Sequence, residues 1–260
     1  MKKLAAKLSE FFYNLPRTLF ISLYRKLVRI RVFNYWRLPR DRPAILAINH
    51  TTGADPIIIL AAVKKKIYFL ADSDNFRFRF TNFFMRKFAG SIPIFKKHFS
   101  KNINSFKELF ALNEGKAFFY GVFPEGKLNK EGKLTKMDKG AAYLSYKTNL
   151  PIIPLYIQNQ ARGLSKNSWL GKNRVLEGIV ALVNNTFRKI NIMVGDPIYP
   201  MADNIMESVK DLADKKTYKQ IIDEIHEALE QEFFKLESES EDLFKSPEQE
   251  EEPVLKDKYS

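Results

Sequence analysis

The chain has 260 residues, 45% of them hydrophobic, enough for one sizeable core with appendages. It contains no cysteine, which excludes a disulfide framework, a thiolate zinc site and a cysteine nucleophile. The formal net charge is +13, unevenly spread: from Glu237 to Ser260 nine acids stand against three lysines, a net −6, which leaves +19 on the remainder. A basic body of this kind seeks an anionic partner, whether nucleic acid, an anionic membrane surface or a phosphorylated substrate.

No stretch reaches the ~20 mostly apolar residues that span a bilayer, and no signal peptide is expected at the N-terminus. Residues 1–33 alternate apolar and basic groups at helical spacing. Leu19, Phe20, Leu23, Leu27 and Ile30 are interleaved with Arg17, Arg25, Lys26 and Arg29, and across 1–42 eleven Lys/Arg outweigh Glu10 and Asp41. That pattern describes helices lying in a membrane interface or, equally well, amphipathic helices packed on a domain.

A β-prone run over Val32–Trp36 is followed by a turn around Pro39 to Pro43. Ala44–Ile48 predicts a buried strand, Pro56–Val63 a helix and Ile67–Ala71 a second buried strand. Phe76–Phe88 predicts a helix stopped at Gly90, and Lys101–Asn113 another. Ala117–Phe123 predicts a strong strand, Asp138–Thr148 a helix and Pro151–Ile157 a strand. Residues 161–173 read as an irregular loop, Val175–Val183 and Ile190–Val194 as late strands, and 206–236 as helical. Alternation of strands and helices through 44–157 argues an α/β layer fold. The tail 237–260 is acidic and proline-containing and is expected to be disordered.

Three places carry candidate chemistry. Asn49-His50 closes the first buried strand, and Asp55-Pro56 has the form of a helix N-cap with proline at the first helical position. A carboxylate five residues on can fold back to a histidine, fix its tautomer and make it a general base; a surface histidine beside an ordinary cap is the plainer alternative. Phe123-Pro124-Glu125-Gly126-Lys127 ends the strongest strand, where Glu125 can orient a loop or bind hydroxyls and Lys127 can meet a phosphate. Gly90-Ser91-Ile92-Pro93-Ile94-Phe95-Lys96 ends an apolar run in a cation. No G-x-S-x-G motif supports a serine triad, and His98 and His226 show no metal-ligand spacing.

Taken together, the blocks resemble the glycerolipid acyltransferase family, which includes the lysophosphatidic acid acyltransferases. Asn49-His50 with Asp55 is similar to the family's N-H-x4-D block. Gly90–Lys96 is similar to G-x-I-P-V-x-R, with Lys96 at the arginine position. Phe123-Pro124-Glu125-Gly126 matches the start of F-P-E-G-T-R-S, and Leu150–Leu155 resembles the fourth, proline-containing block. The third block departs at Lys127-Leu128-Asn129, where the family has Thr-Arg-Ser.

The resemblance implies an α/β fold with a mixed, largely parallel central sheet flanked by helices, and direct acyl transfer with no cofactor. His50, oriented by Asp55, would deprotonate a lysophospholipid hydroxyl that attacks acyl-CoA or acyl-carrier protein. The acceptor phosphate would be held by Lys96 and Lys127, with Pro124, Glu125 and Gly126 shaping its pocket. Expected units are amphipathic basic helices at 1–33, the acyltransferase domain at 34–200, packed helices at 201–236 and the tail. The expected location is the cytoplasmic face of a membrane, peripheral or monotopic, on an anionic surface and without nucleic acid. A non-catalytic lipid-surface binding protein on the same fold, or an acyltransferase with another acceptor, are the alternatives.

Overall fold

The computed structural model describes residues 15, 17–77, 79–87, 89–95, 102, 118–128, 134–158, 174–200 and 218–245. Its strands are β1 (Arg29–Phe33), β2 (Ala44–Ile48), β3 (Lys66–Asp72), β4 (Ser91–Ile94), β5 (Phe118–Val122), β6 (Ile152–Gln158) and β7 (Lys189–Val194). Its helices are α1 (17–27), α2 (Asp55–Ala62), α3 (Arg79–Lys87), α4 (Gly140–Thr148), α5 (Arg174–Thr186) and α6 (Tyr218–Lys245).

The strands form one seven-stranded sheet in the order β1-β7-β6-β2-β5-β3-β4. β6, β2, β5, β3 and β4 are all parallel. β7 runs antiparallel to β6, and β1 is parallel to β7. The sheet is therefore mixed and largely parallel, as expected, and the parallel strands end together along one rim.

Alternation along each strand sends side chains into two separate cores. Ala44, Leu46 and Ile48 of β2 face Phe69, Phe119 and Leu155, beneath α1, α2 and α5. Ile45 and Ala47 face Tyr120, Ile152 and Tyr156, beneath α4 and α6. With both faces covered, the central strands read as unbroken apolar runs, which is why they are legible in sequence.

Several elements differ from expectation. The N-terminal helical pattern stops at residue 27. Arg29–Phe33 is a strand because its register with Lys189–Met193 adds it to the sheet edge, with Ile30 and Val32 packed on the core. Val175–Val183 is not a strand but the body of α5. It buries one face through Ala181 and Leu182 and keeps apolar residues on the other, so no polar stripe marks its helical period. The C-terminal helix does not end at 236 but continues to Lys245, into the segment read as a disordered tail. Leu236 and Ser240 are buried there, Gln158 Nε2 donates to Ser240 O at 2.9 Å, and Leu134 N donates to Glu237 Oε1 at 3.1 Å. These contacts supply the ordering energy that composition alone did not show. Ser73–Phe76 is a 3-10 turn preceding α3. The expected elements at Lys101–Asn113, apart from Asn102, and at 1–14, 161–173, 206–217 and 246–260 lie outside the described residues.

One glycine in the sheet is dictated by packing. At Gly121 of β5, a Cβ would lie 2.4 Å from Cδ1 of Phe69. The Phe69 ring is buried and stacks on Phe123, with centroids 5.8 Å apart. Replacement Gly121→Ala therefore forces the ring aside in a closed core. Urea unfolding is expected to show a loss of about 1–3 kcal/mol; an unchanged midpoint would mean that the ring relocates freely.

Candidate active site

His50 lies two residues beyond β2, on the rim where the parallel strands end. Its backbone is fixed before its side chain is. The preceding Asn49 is buried, and its amide pairs with a strand backbone: Ile157 N donates to Asn49 Oδ1 at 2.7 Å, and Asn49 Nδ2 donates to Ile157 O at 3.0 Å. Asparagine can make this two-way match because it carries both a donor and an acceptor. The His50 N–H then donates to Glu125 Oε1 at 2.9 Å.

Asp55 is fully buried, and four donor groups converge on its carboxylate. They are His50 Nδ1 at 2.8 Å, the Thr51 N–H at 2.8 Å, the Thr52 N–H at 3.1 Å and the Thr52 hydroxyl at 2.6 Å. The expected N-cap role is corrected here. Ala54 occupies the N-cap without a side-chain bond, Asp55 begins α2, and its carboxylate turns back to close the loop before it. Proline in the first turn costs no helix bond, and the helix dipole favours a negative group at that position.

A carboxylate accepts, so in the neutral imidazole the hydrogen sits on Nδ1 of His50 and Nε2 is left with its lone pair. The imidazole side chain is 19% exposed. One ring face stacks on Phe123, with centroids 4.1 Å apart and planes 26° apart. The ring is thus held by a hydrogen-bonded carboxylate at one edge and an aromatic at one face. This arrangement can take a proton at Nε2 and stabilise the resulting imidazolium.

Two supports were not foreseen. Glu177 of α5 is buried and accepts the Gly53 N–H at 2.9 Å. Beside it, Gly178 comes so close to the loop that a Cβ there would lie 3.3 Å from Gly53 O. The signal available in sequence was one acid inside an apolar run, hidden by the strand reading. Thr52 is the second: its hydroxyl donates to Asp55 and accepts the Ala54 N–H at 3.2 Å.

The remaining predicted residues divide. Pro124 and Glu125 are buried at the end of β5, adjacent to β2. The Glu125 oxygens receive the His50 N–H and, at 2.6 Å, the Thr135 hydroxyl, so this carboxylate is engaged in holding the protein's own loops. Pro124 O accepts the Asp138 N–H at 2.7 Å. Gly126 adopts φ +65°, a left-handed turn that side chains resist, and it and Lys127 are exposed. Lys96 lies outside the described residues. The strand leading to it, β4, ends on the same rim three strands from β2, a separation of about 14 Å at ordinary strand spacing.

Curated relatives are similar over part of their length. A 1-acyl-sn-glycerol-3-phosphate acyltransferase of Borreliella burgdorferi is 26% identical over 148 residues, 56% of this chain and 58% of that protein. The chloroplastic 1-acyl-sn-glycerol-3-phosphate acyltransferase LPAT1 of Arabidopsis thaliana is 26% identical over 144 residues, 55% of this chain and 39% of that one. The chain thus matches less than two thirds of either relative. A crystal structure of the 1-acyl-sn-glycerophosphate (LPA) acyltransferase PlsC from Thermotoga maritima is similar with a TM-score of 0.49 at 18% identity, covering 83% of this chain and 79% of that one. Residues 29–158, from the first strand to the end of β6, match the Acyltransferase family. That segment is half of the chain and contains His50, Asp55 and Glu125, and on it the chain belongs to the acyltransferase family.

Proposed function

We propose that this protein is a membrane-associated O-acyltransferase. It moves a fatty acyl group from acyl-CoA or acyl-carrier protein to the hydroxyl of a lysophospholipid, with lysophosphatidic acid as acceptor and phosphatidic acid as product. The observation that carries this reading is the His50–Asp55 pair on the strand-end rim, within the segment shared with the family.

Nε2 of His50 removes the acceptor's hydroxyl proton as its oxygen attacks the thioester carbonyl carbon. Asp55, whose carboxylate meets Nδ1, stabilises the imidazolium. Collapse of the tetrahedral intermediate breaks the carbon–sulfur bond, and the imidazolium returns its proton to the departing thiolate. The protein forms no covalent intermediate in this scheme, and no cofactor enters it. Lys127, exposed beside the turn at Gly126, and Lys96 are the cations offered to the acceptor's phosphate. As ammonium groups they act as point charges, without the two-pronged fit of arginine. The cytoplasmic membrane surface is the proposed location: from Arg25 to Arg31 the chain has four cations and no acid.

The test uses purified protein, a labelled acyl thioester, a panel of lysolipids and product masses. Replacement His50→Ala is expected to lower transfer by about 10²–10⁴-fold, the usual contribution of a general base, with vesicle binding unchanged. Full activity in that variant would sink the mechanism.

Asp55→Asn replaces one carboxylate oxygen by an amide donor facing N–H groups. Its kcat is expected to fall by a similar factor of about 10²–10⁴, read from the same assay at saturating acceptor.

Glu177 acts at one remove, as a positioning residue. Glu177→Ala leaves the Gly53 N–H without its partner, at a stability cost of about 1–3 kcal/mol. It should lower kcat more than it raises KM, and Glu177→Gln, which keeps an acceptor oxygen, should recover most of kcat. Equal activity of the alanine and glutamine variants would limit Glu177 to a structural role.

A further inference from the structure

Helix α5 has two opposite faces. Glu177, Ala181 and Asn185, four residues apart, are buried. Ile179, Val183 and, just past the helix, Phe187 are also four apart, offset by two residues, and all three are exposed; Phe187 reaches 83%. An offset of two residues is about 200° of helix rotation, so these residues point away from the core. Between Glu177 and Arg188 the sequence has no charged residue. An apolar stripe on the outward side of a helix is ordinarily covered by something.

Helix α1 repeats the pattern. Tyr24 and Val28 are buried, while Leu19, Leu23 and Leu27 form an exposed stripe at four-residue spacing. The two helices cover the same sheet face, and the Tyr24 hydroxyl donates to Leu182 O at 3.4 Å. Burial pushes that phenol up to about 12, so it remains a neutral donor. Their ends also coincide. β1 and β7 are parallel with Arg29 opposite Lys189, so Leu27 and Phe187, each two residues upstream, emerge side by side. Lys26, Arg29, Arg188 and Lys189 surround that point, all exposed.

We propose that α5 and the Phe187 turn form, together with the exposed stripe of α1, one continuous docking surface for a bilayer containing anionic lipid. The apolar residues insert among acyl chains, and the four cations at the converging ends meet the lipid phosphates. The choice of a lipid surface over a second protein rests on this charge pattern and on the reading of the acceptor as a lipid. The surface lies on the reverse of the helix whose Glu177 holds the catalytic loop, so a docked bilayer lies against the element that sets His50 in place.

The test is flotation of the full chain with vesicles of phosphatidylcholine, with and without phosphatidylglycerol. The variants are Phe187→Ser and the double variant Ile179→Ser/Val183→Ser. All three positions are exposed, so folding should be retained, as a thermal melt will show. Each variant is expected to partition about tenfold more weakly than the wild type, and salt should weaken the wild type on anionic vesicles. The control is Trp36→Ser, an exposed aromatic (70%) beyond the far end of β1, which should partition as the wild type does. Unchanged partitioning of both apolar variants would overturn the proposal, as would an equal loss in the Trp36 variant. A change of oligomeric state by light scattering, with partitioning intact, would also overturn it and assign the face to a second copy of the chain. Partitioning is read without turnover. Absence of transfer by the wild type would therefore remove the acyl-transfer reading and leave the docking surface to be decided by the vesicles.

Discussion

The Asp55 carboxylate is the constraint on which the rim depends. A fully buried carboxylate is expensive unless its lone pairs are met by hydrogen-bond donors. Here the meeting groups are the backbone of residues 51 and 52, the Thr52 hydroxyl and the His50 ring. Satisfying the charge therefore forces the loop between β2 and α2 into one shape. That same shape delivers Nδ1 of the imidazole to the carboxylate. The loop's stability and the ring's orientation are one interaction seen from two sides.

The aromatic contacts extend this constraint into the core. Phe123 stacks on His50 and on Phe69, and Phe69 occupies the space that Gly121 leaves open. A missing side chain in the middle of β5 thus bears on the face of a ring at the rim, two aromatics away. Close-packed interiors transmit displacement because they have no slack to absorb it.

How legible this was in the sequence depends on whether a residue's partner is near or far. The central strands announced themselves by unbroken apolar runs between turn residues, and His50 with Asp55 by a five-residue separation that one turn can close. Asn49 and Glu125 were visible as parts of motifs, but their work was not. Asn49 binds a backbone 108 residues away and Glu125 one 75 residues away, and no local pattern encodes such partners. Helix α5 was misread because period and polarity usually agree, and here they do not: Ile179 and Val183 point outward while Glu177 and Asn185 are buried. The segment after Glu237 was misread in the opposite sense. Its acidic composition suggested a solvated chain, yet Glu237 accepts the Leu134 N–H and the Tyr156 hydroxyl, and Ser240 is buried.

Those two misread segments prove to hold the site from both layers of the fold. On one sheet face, Glu177 grips Gly53 of the loop between β2 and α2. On the other, Glu237 of α6 holds Leu134, and the next residue, Thr135, donates to Glu125, whose other oxygen holds the His50 N–H. Both glutamates lie beyond residues 29–158, the segment matched to the family. The shared segment thus contains the His50–Asp55 pair, while the clamps that fix its loops come from later elements of this chain. Each clamp ends on a backbone N–H, a donor that every non-proline residue has. A related chain can therefore hold the same pair with different residues in its later helices. Similarity would then fade after β6 without any change in the geometry at His50.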